Sequence, residues 1–459
     1  MTRSAELESL LDGLDDELTA WRRLTCGAQA PLEKHQSQLR AVEAMLAEGV
    51  ASARAELAAG SGAAGLHVLV LDLHHVWDYF RSKFALRRLD EYRGCLDAAD
   101  ELAWACYKGP LEAAEGAGNA RHKEPPLVSF SRDPAPRAHR RGGQYRDLLP
   151  RGGMHTRAGV QLVRSLPFPV IDVPWYYGSH VPAMLTVAHE AGHHIEDDFG
   201  LTETIAARLA GTPLPEAWCG EVFADVCASV ACGVAYPAML ADVLGALEPE
   251  PAGETQELGP HPPLDTRLRI CCAVVELTGQ EPPKVWPAPV DGSDAASTRV
   301  ARALLDDGYP QLGSRRLPDL LPSASADRLH AGRLLAGIAS GLTRVPEVFA
   351  AAALAFLTNP AEYRARRVGA RAVAEALALR PEGPRAEAPS GAANGGRDTS
   401  TGDHLLRALR AVEPDDRTER TERTERTGKT GKTGKTGKTG RTERTERRTG
   451  LRPTPRAGP

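Results

Sequence analysis

Residues 181–200 read VPAMLTVAHEAGHHIEDDFG, and a segment at once this apolar and this rich in ionisable groups has few ways to fold. Pro182 suits the first turn of a helix and Gly200 its end. Met184, Ala188, Ala191 and Ile195 then form one stripe at helical spacing, so the helix belongs inside a core. His189 and His193 lie one turn apart on a second face. Glu190 stands beside them, about 100° around the axis. His194 is rotated about as far from the His189/His193 face, where an exposed neighbour is expected.

Two imidazoles so placed can hold one Zn²⁺ from the same side. A carboxylate at Glu190 can reach a metal-activated water without ligating the metal, the arrangement of a general base. A catalytic zinc also needs a third protein ligand and an open position. The best candidate lies in EAWCGEVFADVCASVACG, residues 216–233, where Glu221 and Asp225 share one face of a helix whose apolar side is Phe223, Val226 and Val230. Glu221 would complete a His₂Glu set, and Asp225 would accept the free ring N–H of a ligating histidine. Glu196, Asp197 and Asp198 are rival ligands but sit too close along the histidines' own helix. In HPPLDTRLRI, residues 261–270, His261 or Arg267 could stabilise an oxyanion; equally, His261 could cap a helix and Arg267 make a structural ion pair. Tyr176, Tyr177 and His180 are further oxyanion candidates. The plain alternative for the whole constellation is two amphipathic helices with polar His/Glu and acidic edges.

HEAGH, EVFAD and HPPLDTRL together resemble the motif series of gluzincin metallopeptidases. The resemblance is closest to the clan of HtpX and the CAAX prenyl proteases, where H-E-x-x-H precedes an E-x-x-x-D helix and a T-H-P-x-x-x-x-R segment. It covers roughly residues 168–270. It implies His189, His193 and Glu221 as zinc ligands, Glu190 as general base and Asp225 as the carboxylate that orients a ligand. It also implies a zincin-like fold in which FPVIDVPWYY, residues 168–177, runs along the cleft and pairs with an extended substrate. The chain departs from the clan in lacking apolar spans, in carrying Gly259-Pro260 before His-Pro, and in a short spacing from His193 to Glu221. Membrane substrates are therefore not carried over. A small cytoplasmic peptidase that cleaves repressors shares H-E-x-x-H and a nearby Glu helix.

The surrounding pattern predicts an α+β, mostly α protein: a short sheet packed on the active-site helix, flanked by helical regions. Leu7, Leu10, Leu11, Leu14 and Leu18 recur at helical spacing, as do Leu39, Val42, Leu46 and Val50, giving an N-terminal helical region over 1–115. Within it, His74 and His75 read as structural. LVSF (127–130) and FPVIDVPWYY read as strands and 132–153 as an extended loop, inside a metallopeptidase domain spanning 125–280. Beyond a Pro-rich link comes a C-terminal helical region over 291–380. Residues 381–459 form a disordered, low-complexity basic tail, within which 417–449 repeat as R-T-E and G-K-T triplets too polar to offset the entropy of ordering.

From Arg417 onward fourteen Lys and Arg face five Glu, a net +9 that leaves −13 on the rest. Only this tail would suit nucleic acid, and a solvated tail is the simpler reading, so the expected partner is a peptide or protein. The eight cysteines form no C-x-x-C pair, and most lie in apolar stretches as reduced thiols do. The N-terminus is acidic and amphipathic, unlike a secretory signal, and no apolar run is long enough to span a bilayer. A cytoplasmic protein with no membrane partner is expected. Rival readings are a zinc-binding module without turnover, against which the intact Glu190 argues, and a helical interaction protein acting as a regulatory scaffold.

Overall fold

The computed structural model describes residues 3–26, 30–60, 63–118, 124–139, 167–245, 261–280, 293–323 and 325–385. The expectations for the Pro-rich link, for most of the 132–153 loop and for the tail beyond 385 lie outside these residues.

Helices α1 (Arg3–Arg23), α2 (Gln36–Ala58) and α3 (Ala63–Ala85) pack on one another. Leu7, Leu11, Leu14, Leu39, Val42 and Leu46 are fully buried in their common core, and the Trp21 and Trp77 rings meet edge to face at 5.8 Å. His74 ties α3 to α1 through the Leu10 carbonyl at 3.0 Å, the structural role expected of it. The same core runs on to Leu127, Phe168 and Val170, so these helices sit on the sheet. Helix α4 (Asp90–Gly116) joins a different core, packing through Ala98, Ala99 and Leu102 against the segment that carries the histidines.

The sheet has three strands, β1 (Leu127–Ser131), β2 (Arg137–His139) and β3 (Val170–Pro174), in the order β1-β3-β2. β1 pairs parallel to β3, and β2 pairs antiparallel to its other side. The expectation that the 168–177 strand lies along the cleft is therefore corrected, since β3 is the central strand. All five of its residues are buried, as a strand covered on both faces and paired on both edges must be. The expected loop is also corrected in part, because Arg137–His139 forms the edge strand. Pro134 and Pro136 fall just before it, where no ladder bond is asked of them. Asp172, inside β3, is tolerated because Lys83 Nζ lies 2.7 Å from it and His139 Nε2 3.0 Å.

A 3₁₀ turn at Val181–Leu185 leads into α5 (Thr186–Asp198). There follow α6 (Thr202–Leu209), α7 (Cys219–Cys232), α8 (Ala235–Gly245), α9 (Leu264–Leu277), α10 (Ala295–Leu305), α11 (Leu317–Leu320), α12 (Arg328–Leu335), α13 (Val345–Thr358), α14 (Pro360–Ala365) and α15 (Val368–Ala378). The protein is thus mostly helical with one small mixed sheet, as expected. α13, which reads VPEVFAAAALAFLT, is buried from Val345 to Ala355. Its alanines let it approach α4, α7, α8 and the 3₁₀ turn closely. Among the described residues no helix is long and apolar enough to cross a membrane.

Candidate functional site

The predicted stripe of α5, Met184, Ala188, Ala191 and Ile195, is at most 1% exposed. The opposite face is buried as well, because α5 packs against α4, α7 and the sheet. His194 is consequently 1% exposed, which corrects the expected exposed neighbour: helical spacing gives its direction from the axis, not what lies there. Glu196 and Asp198 face away from the cleft, accepting from Thr202 Oγ1 at 2.9 Å and from the Tyr107 hydroxyl at 2.6 Å.

α5 and α7 approach closely at Gly192. A β-carbon there would stand 2.8 Å from Ala224 Cα, so only glycine lets the helices touch backbone to backbone. That contact sets Glu221 and Asp225 opposite the two histidines. Glu221 Oε2 lies 3.5 Å from His189 Nε2, and Glu221 Oε1 lies 3.3 Å from His193 Nε2. One donor atom from each of the three residues falls within 4.8 Å of the others. Bonds of about 2.0–2.2 Å to a tetrahedral centre put ligand atoms about 3.3–3.6 Å apart. Each Glu221 oxygen thus stands about as far from one imidazole nitrogen as two ligands of a single zinc would, and an N, N, O donor set is one that Zn²⁺ accepts.

Around these three side chains the charges are tightly compensated. Arg267 grips Asp225 with Nε and Nη2, each at 2.7 Å, and the Tyr236 hydroxyl donates to Asp225 Oδ1 at 2.6 Å. His189 Nδ1 lies 2.9 Å from the same oxygen. Burial alone would raise the Asp225 carboxyl, but the Arg267 guanidinium outweighs it and holds the group well below its usual range. Burial would likewise lower His189, yet hydrogen bonds to Asp225 and Glu221 push it up to about 10. Glu221, which burial would raise, is held far below its usual range by hydrogen bonds from His189, His193 and His261. His189 thus lies between two carboxylates that favour its protonated form, and a metal bound at Nε2 would compete with a proton there.

A cavity of about 610 Å³ opens over this group. Its lining includes Asp133–Pro136 with Arg137 and Ala138 of β2, and Tyr236, Leu240, Pro262 and Leu264. Glu190 lines it and is 6% exposed. The His261 side chain is 62% exposed at its mouth, with Nδ1 3.3 Å from Glu221 Oε2. Of the oxyanion candidates, Tyr177 is buried close enough to Glu190 to feel its charge. Tyr176 donates to the Pro134 carbonyl at 2.7 Å. His180 packs against Phe356 with ring centres 4.7 Å apart and does not line the cavity. Arg267 makes the structural ion pair rather than facing the cavity unpaired. Sequence reasoning missed Tyr236, Thr186, Leu240 and the β2 wall, for which no motif or local spacing gave a signal.

A second group of donor atoms, His35 just before α2 with Asp97 and Asp100 of α4, is also buried. There the Arg87 guanidinium already binds Asp100 at 2.6 Å and is itself fully buried, so the cation this pocket needs is a side chain. No protein-family model, curated protein or solved structure matches this chain.

Proposed function

We propose that this chain is a zinc-dependent peptidase with a zincin-like catalytic centre, in which His189, His193 and Glu221 bind the metal. The observation that supports the reading is the clustering of those three donors, within 4.8 Å of one another, beside Glu190 in the cavity. A zinc ion held there would supply Lewis acidity, polarising a carbonyl and acidifying a water. Glu190 accepts the proton of the attacking water and returns it to the leaving amine. His261, whose imidazole the hydrogen bond to Glu221 shifts upward from its ordinary value, stands exposed at the cavity where it could donate to the oxyanion. Asp225 holds His189 in orientation, and Arg267 keeps Asp225 charged.

An extended peptide would pair with β2, which bonds only to β3 among the described residues and forms a wall of the cleft. Pro134, Pro136, Leu240 and Leu264 give the cavity an apolar lining, which favours a peptide with a medium-sized apolar residue over a highly charged one.

The test has two arms. Metal analysis of the purified protein should find one zinc per chain, lost in His189→Ala; a wild type without stoichiometric zinc would sink the proposal. Peptide-library cleavage should be abolished in Glu190→Gln with zinc retained. A zinc-loaded wild type that cleaves no more than this variant makes the chain a binding module without turnover.

A further inference from the structure

Three hydrogen-bonding groups converge on one oxygen, Asp225 Oδ1: Arg267 Nη2 at 2.7 Å, the Tyr236 hydroxyl at 2.6 Å and His189 Nδ1 at 2.9 Å. A phenol has one proton to give. Tyr236 gives it to Asp225, so what its oxygen offers His189 Nδ1, 3.2 Å away, is a lone pair. His189 Nδ1 therefore faces two acceptors, which are satisfied only when that nitrogen carries hydrogen. The lone pair available for a metal is then on Nε2, the atom beside Glu221.

We propose that Tyr236 is a positioning residue that acts through His189: its hydroxyl, anchored on Asp225, holds the ring in the Nδ1–H tautomer and in the tilt that aims Nε2 at the metal position. This rests on reading His189, His193 and Glu221 as a zinc site. The tyrosine ring lies nearly parallel to the imidazole, 13° apart at 6.4 Å between centres, and so walls it on one side. Tyr236 is 1% exposed.

Tyr236 reaches this place because the chain reverses at Gly233, the left-handed residue that ends α7 (φ 58°). A β-carbon there would also come within 2.3 Å of Gln280 Oε1. The turn returns the chain so that a residue eleven positions after Asp225 meets it again.

The test uses the full-length protein, with Tyr236→Phe beside Tyr309→Phe as control. Tyr309 is equally buried, and its hydroxyl donates to the Leu304 carbonyl at 3.0 Å, outside the cleft. Zinc affinity is read by competition with a chromophoric chelator, and melting of the metal-free proteins is read alongside. Removing an outer partner of a ligating histidine typically weakens metal binding about 10- to 100-fold. Tyr236→Phe should fall about tenfold, at the low end because Asp225 remains, while Tyr309→Phe stays within about twofold of wild type. Wild-type affinity in Tyr236→Phe, or an equal loss in Tyr309→Phe, overturns the role. A wild type that binds no stoichiometric zinc overturns the zinc reading, and this role with it.

Discussion

Replacing Gly192 by alanine separates two effects of opposite sign. Alanine is the better helix former by about 1 kcal/mol in a helix interior, so propensity alone makes Gly192→Ala stabilising. The new β-carbon, however, would lie 2.8 Å from Ala224 Cα and 3.2 Å from both Ala224 Cβ and Cys227 Cβ. Carbon atoms rest at about 3.5–4.0 Å, so α5 and α7 must move apart by roughly 0.7 Å. The obstacle is backbone, which cannot rotate aside. Overpacking of this kind costs about 1–3 kcal/mol, leaving a net loss on the order of 1 kcal/mol. The site should suffer more, because Glu221 rides on α7 and the histidines on α5, and metal bonds tolerate only about 0.2 Å of error. Urea denaturation of the metal-free protein should show the modest loss, and chelator competition should show zinc affinity reduced at least tenfold. A variant more stable than wild type, with zinc affinity unchanged, would refute the claim that Gly192 sets the spacing of the two helices.

Arg267→Ala strips two hydrogen bonds from the fully buried Asp225 and should cost about 3–5 kcal/mol in denaturant unfolding, the usual penalty for a buried charge left without its partner. Arg316→Ala breaks the exposed pair with Asp319 and should leave the unfolding midpoint where it was. Asp172 supplies a pH dependence: burial would raise its carboxyl, but the Lys83 charge and the His139 hydrogen bond outweigh that and lower it from 3.8 to about 2. Because the folded value lies below the unfolded one, the stabilisation of about 2 kcal/mol is complete above pH 4 and is lost as pH falls from about 4 towards 2. The gap between wild type and Asp172→Asn, measured by urea unfolding at a series of pH values, should narrow over that window; a gap that stays constant would show that the charge is not what Asp172 contributes.

The sequence by itself determined which helices form and which of their faces are apolar, because a 3.6-residue period is a local property. It put His189 and His193 on one face, set Glu190 about 100° around the axis from them, and paired Glu221 with Asp225 one turn apart. It also anticipated the helix-dominated architecture with a short sheet. Tertiary packing decided the rest. The burial of His194 depends on α4, α7 and the sheet all closing on α5. Arg267 binds Asp225, and Tyr236 enters the site, through contacts between residues far from one another along the helical pattern. The central place of β3 and the edge place of β2 follow from strand order, which alternation of residues along a single strand does not encode. What joined the two halves of the candidate site was a missing side chain at Gly192, whose meaning appears only when Ala224 lies against it.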